Sequence, residues 1–526
     1  MRTGAALAGG AAVVAATRGA RASQRDPTGR GWERSYSGGG DATPLPPGVP
    51  GKDYRPTLTP GGATLPYHVV DGVKVYHLVA EEMWHEFAPG LRAKCWGYSG
   101  HVHGPTLEAV EGDRVRVYVT NKLKAPTSVH WHGLALRNDM DGAAPATPNI
   151  ESSSTFTYRF SAPHPGTYWA HPHTGLDADC GLYVPVIIDD PAEPGRYDAE
   201  WIVVLDDWTD GISSSPQQLY EGLRGAGGHS GGMPGMPGMS GTPGMPGVPG
   251  VGGVGTSALL GGDAGDVSYP YYLANGRIPA APTTFTARPG QRIRMRIINA
   301  ASDTAFRVAL AGHRMTVTHT DGFPVTPTDV DALLLGMGER YDVLITAGDG
   351  VFPLVASAEG KNALARALLS TGVGAAPDSA FMPAELQRRV GTVDVFTAAP
   401  EAVLDVTTAD AALSARLSGS MASYAWMING RPFDDTVPLT VRQGQKATLT
   451  FSNTTMMWHP MHLHGHTFQV IKPDGTPGPR KDTVIVLPMQ KLTVALVADN
   501  PGVWMMHCHN TYHQEAGMMT TLTYAP

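Results

Sequence analysis

The chain has 526 residues, of which 42% are hydrophobic and 16% charged, and its formal net charge is -8. This length suggests about three domains, and the acidic balance excludes the basic footprint of a nucleic-acid-binding protein. The three cysteines, Cys95, Cys180 and Cys508, are too few for a disulfide framework. Cys95 and Cys180 are either bridged to each other or small buried residues, and the sequence leaves both alternatives open.

The N-terminal residues 1–22 combine a basic residue, an apolar run of Ala, Gly and Val, and an ending of small residues. This pattern predicts an export signal, and hence a protein of the periplasm, cell envelope or extracellular space; a disordered Ala-rich tail is the alternative. The apolar run is too short to cross a bilayer, so no stable membrane span is expected. Residues 23–63 are rich in Gly, Pro and Ser and are predicted to be an extended linker.

One sequence pattern then occurs three times. Each copy has a Pro-containing stretch, an alternating strand, a Gly turn and a second alternating strand that ends at Asn. The copies are GPTLEAVEGDRVRVYVTN (104–121), NGRIPAAPTTFTARPGQRIRMRIINA (275–300) and NGRPFDDTVPLTVRQGQKATLTFSNT (429–454). Alternation of period two between Gly and Pro indicates antiparallel β-sandwiches, and recurrence at this spacing indicates repeated domains. We therefore predict an all-β chain of three consecutive β-sandwich domains at 64–190, 191–390 and 391–526.

Residues 229–255 of the middle domain form a low-complexity segment of Gly, Pro and Met. Such a composition cannot bury a core and predicts a mobile loop. Its methionines include Met233, Met236, Met239 and Met245. Thioethers are soft ligands that favour Cu(I), and apolar residues have no packing reason to recur in an exposed loop. We interpret the segment as a Cu(I)-binding loop, with a flexible insertion as the alternative.

Four short histidine motifs mark the first and third domains: HWHG, HPH, HPMHLHG and HCHNTYHQEAGM. A thiolate, two imidazoles and a weak thioether form the ligand set of a blue copper site. His459, Cys508, His513 and Met518 supply such a set. Because Cys508 is bonded within the chain to a histidine on each side, it also provides a short covalent path out of that site.

The eight remaining histidines of these motifs form four His-x-His pairs. On an alternating strand, both rings of such a pair lie on one face. The pairs are His130/His132, His171/His173, His462/His464 and His507/His509. Eight imidazoles are enough to bind three copper ions with open positions for dioxygen.

With these motifs the chain resembles the three-domain multicopper oxidases, which include laccases and bacterial cuprous oxidases. The resemblance covers residues 64–526 and implies three cupredoxin-like Greek-key β-sandwich domains, of which the middle one is structural. It also implies four copper ions: one of type 1, and a trinuclear cluster of one type 2 and two type 3 ions between the first and third domains. The implied ligands are His130 and His462 for type 2; His132, His171 and His509 for one type 3 ion; His173, His464 and His507 for the other; and His459, Cys508 and His513, with axial Met518, for type 1.

The family pattern also points to a proton donor. Relatives commonly have an acidic residue near the last type 1 histidine, where this chain has Thr511 and Tyr512. Asp141, in RNDMDG, lies where the family often has a carboxylate near the type 2 copper. Because reduction of dioxygen to water consumes protons, we predict a catalytic role for Asp141. A turn residue before Gly142 is the alternative.

Two substrate classes stay open, because cuprous oxidases and laccase-like oxidases of phenols and aromatic amines share the same metal sites. The Met-rich loop and Met457, close to the third histidine motif, favour Cu(I), whereas Thr455 stands where cuprous oxidases tend to have an acidic residue. Met456 and Met489 are further candidates, and Met461 is expected to pack the core. A copper-binding protein without activity is a third alternative, disfavoured because every ligand position is filled. The expected partners are dioxygen and either Cu(I) or a phenol, and the expected state is a monomer.

Overall fold

The computed structural model describes residues 48–525 except 194–195, 227–247, 253, 373 and 407. The export signal predicted at 1–22 and the methionines Met233, Met236, Met239 and Met245 lie outside the described residues. The described part of the chain is mostly β-strand, as the sequence predicts. In that part, no helix is both long and apolar enough to cross a membrane.

The first set of strands spans residues 67–189. Its members are β1 (Tyr67–Val70), β2 (Val73–Ala88), β3 (Leu91–Tyr98), β4 (Leu107–Val110), β5 (Arg114–Asn121), β6 (His130–His132), β7 (Thr155–Ser161), β8 (Gly166–His171) and β9 (Val184–Asp189), with short 3-10 helices at Asn138–Met140 and Asp177–Cys180. One sheet has the order β1-β2-β5-β7 with β3 beside β2, and the other has the order β4-β9-β8-β6. Val115, Val117 and Val119 of β5 alternate with less buried residues and share one apolar core with Val184 and Val186 of β9. The two sheets therefore enclose a common core, as expected for a sandwich.

The middle set spans residues 199–395. Its members are β10 (Ala199–Trp208), α1 (Pro216–Ala226), β11 (Thr256–Ser257), β12 (Gly262–Asp263), β13 (Tyr271–Ala274), β14 (Thr283–Thr286), β15 (Arg292–Asn299), β16 (Phe306–Leu310), β17 (Met315–Thr320), β18 (Phe323–Val330), β19 (Ala332–Leu335), β20 (Arg340–Thr346), β21 (Val351–Ala358), β22 (Ala363–Ser370) and β23 (Val390–Gly391), with 3-10 helices at Ala384–Gln387 and Val393–Val395. Its two larger sheets have the orders β13-β10-β15-β20-β17-β18 and β14-β22-β21-β16-β19-β23, and β11 pairs with β12.

The last set spans residues 411–524, after a 3-10 helix at Pro400–Ala402. Its members are β24 (Ala411–Ser420), β25 (Ala425–Ile428), β26 (Leu439–Val441), β27 (Lys446–Asn453), β28 (His459–Leu463), β29 (Phe468–Ile471), β30 (Pro477–Lys481), β31 (Thr483–Val486), β32 (Lys491–Val497), β33 (Val503–Cys508), α2 (Thr511–Glu515) and β34 (Met519–Tyr524), with a 3-10 helix at Phe433–Asp435. The sheets have the orders β25-β24-β27-β32-β29-β30 and β26-β34-β33-β28-β31. Each of the three consecutive sets of strands thus forms two large sheets.

The asparagine that ends each sequence repeat has the same role in each set of strands. Asn121, Asn299 and Asn453 end β5, β15 and β27, and all three side chains are buried. Each carboxamide oxygen accepts from the backbone N–H two residues later, at 2.8, 3.0 and 2.9 Å, and each amide nitrogen donates to two or more backbone carbonyls. The side chain therefore replaces backbone partners at the sheet's end, which explains the recurrence of Asn in the sequence.

Strand β15 departs from the predicted alternation. Every position of RIRMRIIN after the first is buried. Arg294 pairs with Asp342, with 2.6 Å between Nη2 and Oδ2, and Arg296 pairs with Glu200, with 2.5 Å between Nε and Oε2. Strand β8 of the first set packs against this face. The arginines are buried because their sheet face is covered by another domain, where each charge has a partner.

Cys95 and Cys180 have free thiols, so the bridged alternative is not formed in the structure. Cys95 is buried under Phe87 and Trp208, and burial raises the pKa of its thiol to about 12. The Cys95 side chain packs as a small apolar residue.

Candidate metal centre

Two pairs of antiparallel strands carry the histidine motifs. Strand β6 pairs with β8, which places His130 opposite His171, and β28 pairs with β33, which places His462 opposite His507. Trp131, between the two histidines of β6, lies in the apolar core of the first set of strands. The two rings of the His130/His132 pair therefore face away from the core, as the strand periodicity predicts.

Three ring nitrogens from three motifs converge in a first triad. The Nδ1 atom of His132 lies 3.3 Å from Nε2 of His171 and 3.2 Å from Nε2 of His509, and the latter two atoms are 3.4 Å apart. Imidazole ligands about 2.0 Å from one ion, at tetrahedral angles, would place their nitrogens about 3.3 Å apart. The triad therefore has the dimensions of a single metal site.

A second triad has the same form. The Nε2 atom of His507 lies 3.2 Å from Nε2 of His173 and 3.0 Å from Nε2 of His464. All three residues present one nitrogen to a common point, and the set is compact enough for one ion.

The remaining two histidines, His130 and His462, lie beside both triads. Together with His132 they form a further compact group of ring nitrogens. The Nε2 atoms of His130 and His462 are buried and have no hydrogen-bond partner among the described residues. Buried polar atoms are rarely left unpaired, and a metal ion accepting both lone pairs is the partner that fits.

In His130, His462 and His464 the other ring nitrogen is held by an oxygen atom, which fixes the tautomer. The Nδ1 atom of His130 donates to the backbone carbonyl of Asp141 at 2.9 Å, and that of His462 donates to the carbonyl of Asp482 at 2.8 Å. The Nδ1 atom of His464 donates to the Oδ2 atom of Asp141 at 2.9 Å. Each ring is thereby left with its Nε2 lone pair directed at the cluster, the arrangement usual for metal-binding histidines.

Burial keeps most of these rings neutral. It lowers the pKa values well below the ordinary histidine value, and neighbouring imidazoles lower them further, at His132, His171, His173, His464, His507 and His509. Metal binding needs the neutral ring, so these six rings are in their ligand form at neutral pH.

The predicted blue copper ligands form a separate group. The Cys508 sulfur lies 3.6 Å from Nδ1 of His459 and 3.7 Å from Nδ1 of His513, and these two nitrogens are 3.1 Å apart. Met518 is fully buried, and its backbone carbonyl accepts from the Cys508 N–H at 3.1 Å. The cysteine sulfur and the two imidazole nitrogens thus lie around one common point, and the Met518 backbone lies beside Cys508.

Local structure explains the position of His513. Asn510 caps the N-terminus of α2, and its side-chain oxygen accepts from the N–H groups of Tyr512 and His513. Such a cap stabilises the first turn of a helix. The short helix therefore turns the chain sharply after His509 and returns His513 to the Cys508 sulfur.

Two polar residues that the sequence did not suggest hold the outer nitrogens of this group. Thr455 lies 2.9 Å, through Oγ1, from the Nε2 atom of His459. The Oδ2 atom of Asp266, from the loop between β12 and β13, accepts from Nε2 of His513 at 2.9 Å. Although burial alone lowers it, the Asp266 carboxylate raises the pKa of His513 to about 10. Binding of an ion at Nδ1 of His513 would therefore release a proton.

Asp141 contacts two histidines of the cluster. Its Oδ2 atom accepts from His464, its backbone carbonyl accepts from His130, and only 3% of its surface is exposed. It also stands in a turn, since Gly142 follows with a φ of 86°. Asp141 is therefore a turn residue and also lies in contact with the histidine cluster.

The methionines of the third domain separate into two classes. Met461 is fully buried in the core, as expected, and Met457 is only 2% exposed in the same core. The neighbouring Met456 is 72% exposed, and Met489, in the turn between β31 and β32, is 66% exposed. Met457 thus has no access to an ion arriving from solvent, and Met456 and Met489 replace it as accessible thioethers.

Comparisons with known proteins agree with this architecture. Three multicopper oxidase family models match residues 80–193, 199–374 and 405–526. A protein named multicopper oxidase MmcO, from Mycobacterium tuberculosis, is 65% identical over 81% of this chain and 82% of its own length. The chain belongs to the multicopper oxidase family.

Other proteins that are similar to this multicopper oxidase have lower sequence identity. Copper resistance protein A from Escherichia coli is 28% identical over 80% of the chain and 87% of its own length. The crystal structure of a multi-copper oxidase from Pseudomonas thermotolerans is 25% identical, has a TM-score of 0.66, and covers 89% of this chain and 100% of its own. The predicted fold of three cupredoxin-like domains is confirmed.

Multicopper oxidases use four copper ions, one of type 1, one of type 2 and two of type 3. The histidine and cysteine groups of this chain fit that complement in number and chemistry. Neutral imidazoles suit copper, and the thiolate with two imidazoles suits the type 1 position.

Proposed function

We propose that this multicopper oxidase takes electrons one at a time from Cu(I) at the type 1 site and passes them to dioxygen at the trinuclear site. His459, Cys508, His513 and Met518 would hold the type 1 copper. The eight histidines of the four His-x-His pairs would hold the other three ions, as the family pattern implies. When bound, the copper ions supply the electron transfer and the activation of dioxygen. The balanced reaction converts four Cu(I) ions, one dioxygen and four protons into four Cu(II) ions and two water molecules.

The residues of the chain orient ligands, carry electrons and hold protons. Cys508 is joined by peptide bonds to His507 and His509, which belong to the two different triads. Its side chain therefore has a short covalent route to both. Asp141 is proposed to take up and pass on protons at Oδ1, because its Oδ2 atom accepts from Nδ1 of His464 at 2.9 Å; protons are needed nearby for water formation.

The placement of the exposed methionines is the observation that carries the choice of Cu(I). Met456 adjoins Thr455, whose hydroxyl contacts His459. Asn453 joins this turn to the next one, because its N–H donates to the carbonyl of Gln490 at 2.9 Å, beside Met489. Two exposed thioethers therefore stand on adjacent turns at the outer edge of the type 1 site. Thioethers are the side chains that bind Cu(I) in preference to harder ions.

The described residues on either side of the stretch 227–247 lie near the same site. Tyr220 of α1 donates to the carbonyl of Glu515 at 3.2 Å, and its ring lies 6.4 Å from that of Tyr424. The Tyr424 hydroxyl donates to Asp266 at 2.7 Å. Val248 packs against the core beside this helix. Helix α1, before that stretch, and Val248, after it, therefore lie side by side, which supports a role for the methionines of the Met-rich segment in supplying Cu(I).

A laccase-like oxidation of phenols is the second candidate. His459 and His513 are both fully buried, so a phenol would have no direct contact with either ring in this structure. Electrons from a phenol would have to cross the covering residues, whereas a Cu(I) ion could approach through the exposed thioethers. We therefore expect phenols to be slower substrates.

The substrate proposal is tested by oxygen consumption with Cu(I) and with a phenol, on protein loaded with four coppers. One variant deletes 229–245 and keeps Val248 and Val251, which pack against the core. A second variant keeps the length of the chain and replaces the four methionines of the deleted stretch with leucine, which separates loss of the thioethers from loss of the loop. Both should lower Cu(I) turnover more than phenol turnover. An equal effect on the two substrates, or an effect of the deletion alone, would contradict the proposal.

Export, domain limits and oligomeric state belong to the same proposal. We propose that residues 1–22 direct export, that the domains span 64–190, 191–390 and 391–526, and that the enzyme is a monomer. An exported oxidase would meet Cu(I) outside the cytoplasm, where its removal protects the cell. N-terminal sequencing of the mature protein and its mass in solution test these statements.

A further inference from the structure

The turn between β19 and β20 of the middle domain reaches the histidine cluster, although none of the described residues of this domain is among the ligand groups. Gly338 in this turn has a φ of 85°. A Cβ atom at Gly338 would lie 2.9 Å from Cδ2 of His509 and 3.0 Å from Cε1 of His132. The backbone of the middle domain therefore forms a wall against two rings of the first triad, at a position that only glycine fits.

Arg340, directly after this turn, forms a bidentate ion pair with a carboxylate of the third domain. Its Nη1 atom donates to Oδ1 of Asp482 at 2.8 Å, and its Nη2 atom donates to Oδ2 at 2.6 Å. Its Nε atom donates to the carbonyl of Thr167 in the first domain at 3.0 Å. Both charged groups are fully buried. A bidentate pair of this kind fixes the carboxylate in position and in orientation.

Asp482 in turn holds two histidines of the cluster. Its Oδ1 atom accepts from Nε2 of His132 at 3.0 Å, and its backbone carbonyl accepts from Nδ1 of His462 at 2.8 Å. These rings come from the first and third domains. We infer that Arg340 and Gly338 make the middle domain a positioning element of the trinuclear site, acting on its ligands through Asp482 and by direct contact. The inference rests on the ligand assignment proposed above.

A buried carboxylate of the middle domain lies behind the type 1 site. Asp303 is fully buried and pairs with Lys361, with 2.7 Å between Oδ2 and Nζ. Its oxygens accept from the backbone N–H of Asp266 at 3.0 Å and from Nδ2 of Asn510 at 2.6 Å. One carboxylate therefore holds both groups that position His513: the acceptor of its Nε2 proton and the cap of its helix.

The hydrogen bond to Asn510 also sets the orientation of that side chain. Because Nδ2 of Asn510 donates to Asp303, its Oδ1 atom must face the N-terminus of α2, where it accepts from the N–H of His513 at 3.1 Å. From this separate observation we infer that Asp303 is a positioning residue of the type 1 site. The middle domain would then hold each copper site by its own contact.

The first contact is tested with Arg340→Gln, which removes the charge and the fork. The matched control is Arg307→Gln, because Arg307 is likewise an arginine of the middle domain paired with a carboxylate, in its case Glu359 of the same domain, away from the histidines. Copper bound per chain and the blue absorption of the type 1 site are measured together. Loss of an outer partner of metal ligands typically weakens metal affinity about 10- to 100-fold. We expect Arg340→Gln to lose copper from the trinuclear site at this scale while staying blue, and Arg307→Gln to keep four coppers.

The inference can still be tested if Arg340→Gln does not fold. If Arg340→Gln is insoluble, Gly338→Ala decides, since its methyl group meets the two rings without removing a buried charge. A Gly338→Ala protein that stays blue and loses trinuclear copper supports the inference. Full copper binding by either variant overturns it, as does equal loss from Arg340→Gln and Arg307→Gln.

The second contact is tested with Asp303→Asn, which keeps the shape but gives Asn510 a competing donor. We expect the blue absorption to weaken or shift, and type 1 copper affinity to fall about 10- to 100-fold, while three coppers stay bound. The two variants, Arg340→Gln and Asp303→Asn, should thus affect opposite sites. An unchanged blue spectrum in Asp303→Asn overturns the second inference. A wild-type protein that is colourless when loaded with copper would instead refute the ligand assignment, so the two failures are distinguishable.

Discussion

Replacement of Asp141 by asparagine is the sharpest test of proton supply in this enzyme. The substitution keeps the shape of the side chain and its backbone contacts, but removes the negative charge 2.9 Å from Nδ1 of His464. The asparagine oxygen can still accept from that ring. The change therefore separates the charge of Asp141 from its place in the turn.

The magnitude follows from the single bond that changes. A hydrogen bond to a charged group contributes about 1.5–3 kcal/mol and a neutral one about 0.5–1.5 kcal/mol. The difference of about 1.4 kcal/mol corresponds to about a tenfold change in rate. Loss of a group that holds a proton acts in the same direction. We therefore expect reoxidation by dioxygen to be at least about tenfold slower in Asp141→Asn.

The assay mixes anaerobically reduced protein with dioxygen and follows the return of the blue absorption. The final intensity should match the wild type, because Asp141 does not contact the type 1 group. Asp139→Asn is the control, since Asp139 lies in the same 3-10 helix with 56% of its side chain exposed. A rate for Asp141→Asn within twofold of the control (about 0.4 kcal/mol) would refute the assigned role.

Two further predictions concern substrate binding and acid stability. Replacing Met456 and Met489 together with leucine should raise the KM for Cu(I) about tenfold, equivalent to about 1.4 kcal/mol, and leave phenol oxidation unchanged; Met382→Leu, also at an exposed methionine, is the control, and equal KM values in the two proteins would contradict the thioether role. Burial raises the pKa of Asp342, but the guanidinium of Arg294 outweighs it and lowers that pKa to about 2. Since the folded pKa lies below the unfolded value, the contribution of about 2 kcal/mol is present above pH 4 and is lost as the pH falls toward 2. Thermal unfolding of copper-free protein should show this loss, and Asp342→Asn should lack it; a parallel pH profile in the two proteins would disprove the assignment.

The sequence was sufficient to predict the features that depend on residues close together in the chain. The His130/His132 pair lies on a strand, so residue spacing alone predicts that both rings share a face, whereas the other three pairs run past the end of a strand. The same holds for the alternation of β5 and β27. Asparagine at the end of each repeat could be read as a boundary, although its capping of the sheet became clear only in the structure.

The partners of the copper ligands could not be predicted, because they are distant in sequence. Asp266 meets His513 across 247 residues, and Asp482 meets His132 across 350. Neither aspartate stands in a motif that suggests a metal site. Their roles depend on how the three domains pack, and a single sequence does not encode that packing in any local pattern.

The sequence also does not show which of two adjacent methionines, Met456 or Met457, is exposed. Met456 and Met457 follow each other in a turn, and a turn has no periodicity that shows which side chain faces solvent. The structure exposes Met456 and buries Met457. In β15 the sequence predicts alternation, yet every position after the first is buried, because strand β8 of the first domain packs against it and Arg296 donates to Thr167 of that strand.

The central claim is that one cysteine links a blue copper site to a three-copper cluster. The most direct measurement is the copper content, colour and oxygen consumption of Cys508→Ser. Serine keeps the size of the side chain but removes the thiolate, the ligand on which the blue absorption depends. We predict a colourless protein that retains three coppers and consumes no oxygen with Cu(I) or with a phenol. A blue Cys508→Ser protein, or one that still reduces dioxygen at the wild-type rate, would contradict the account.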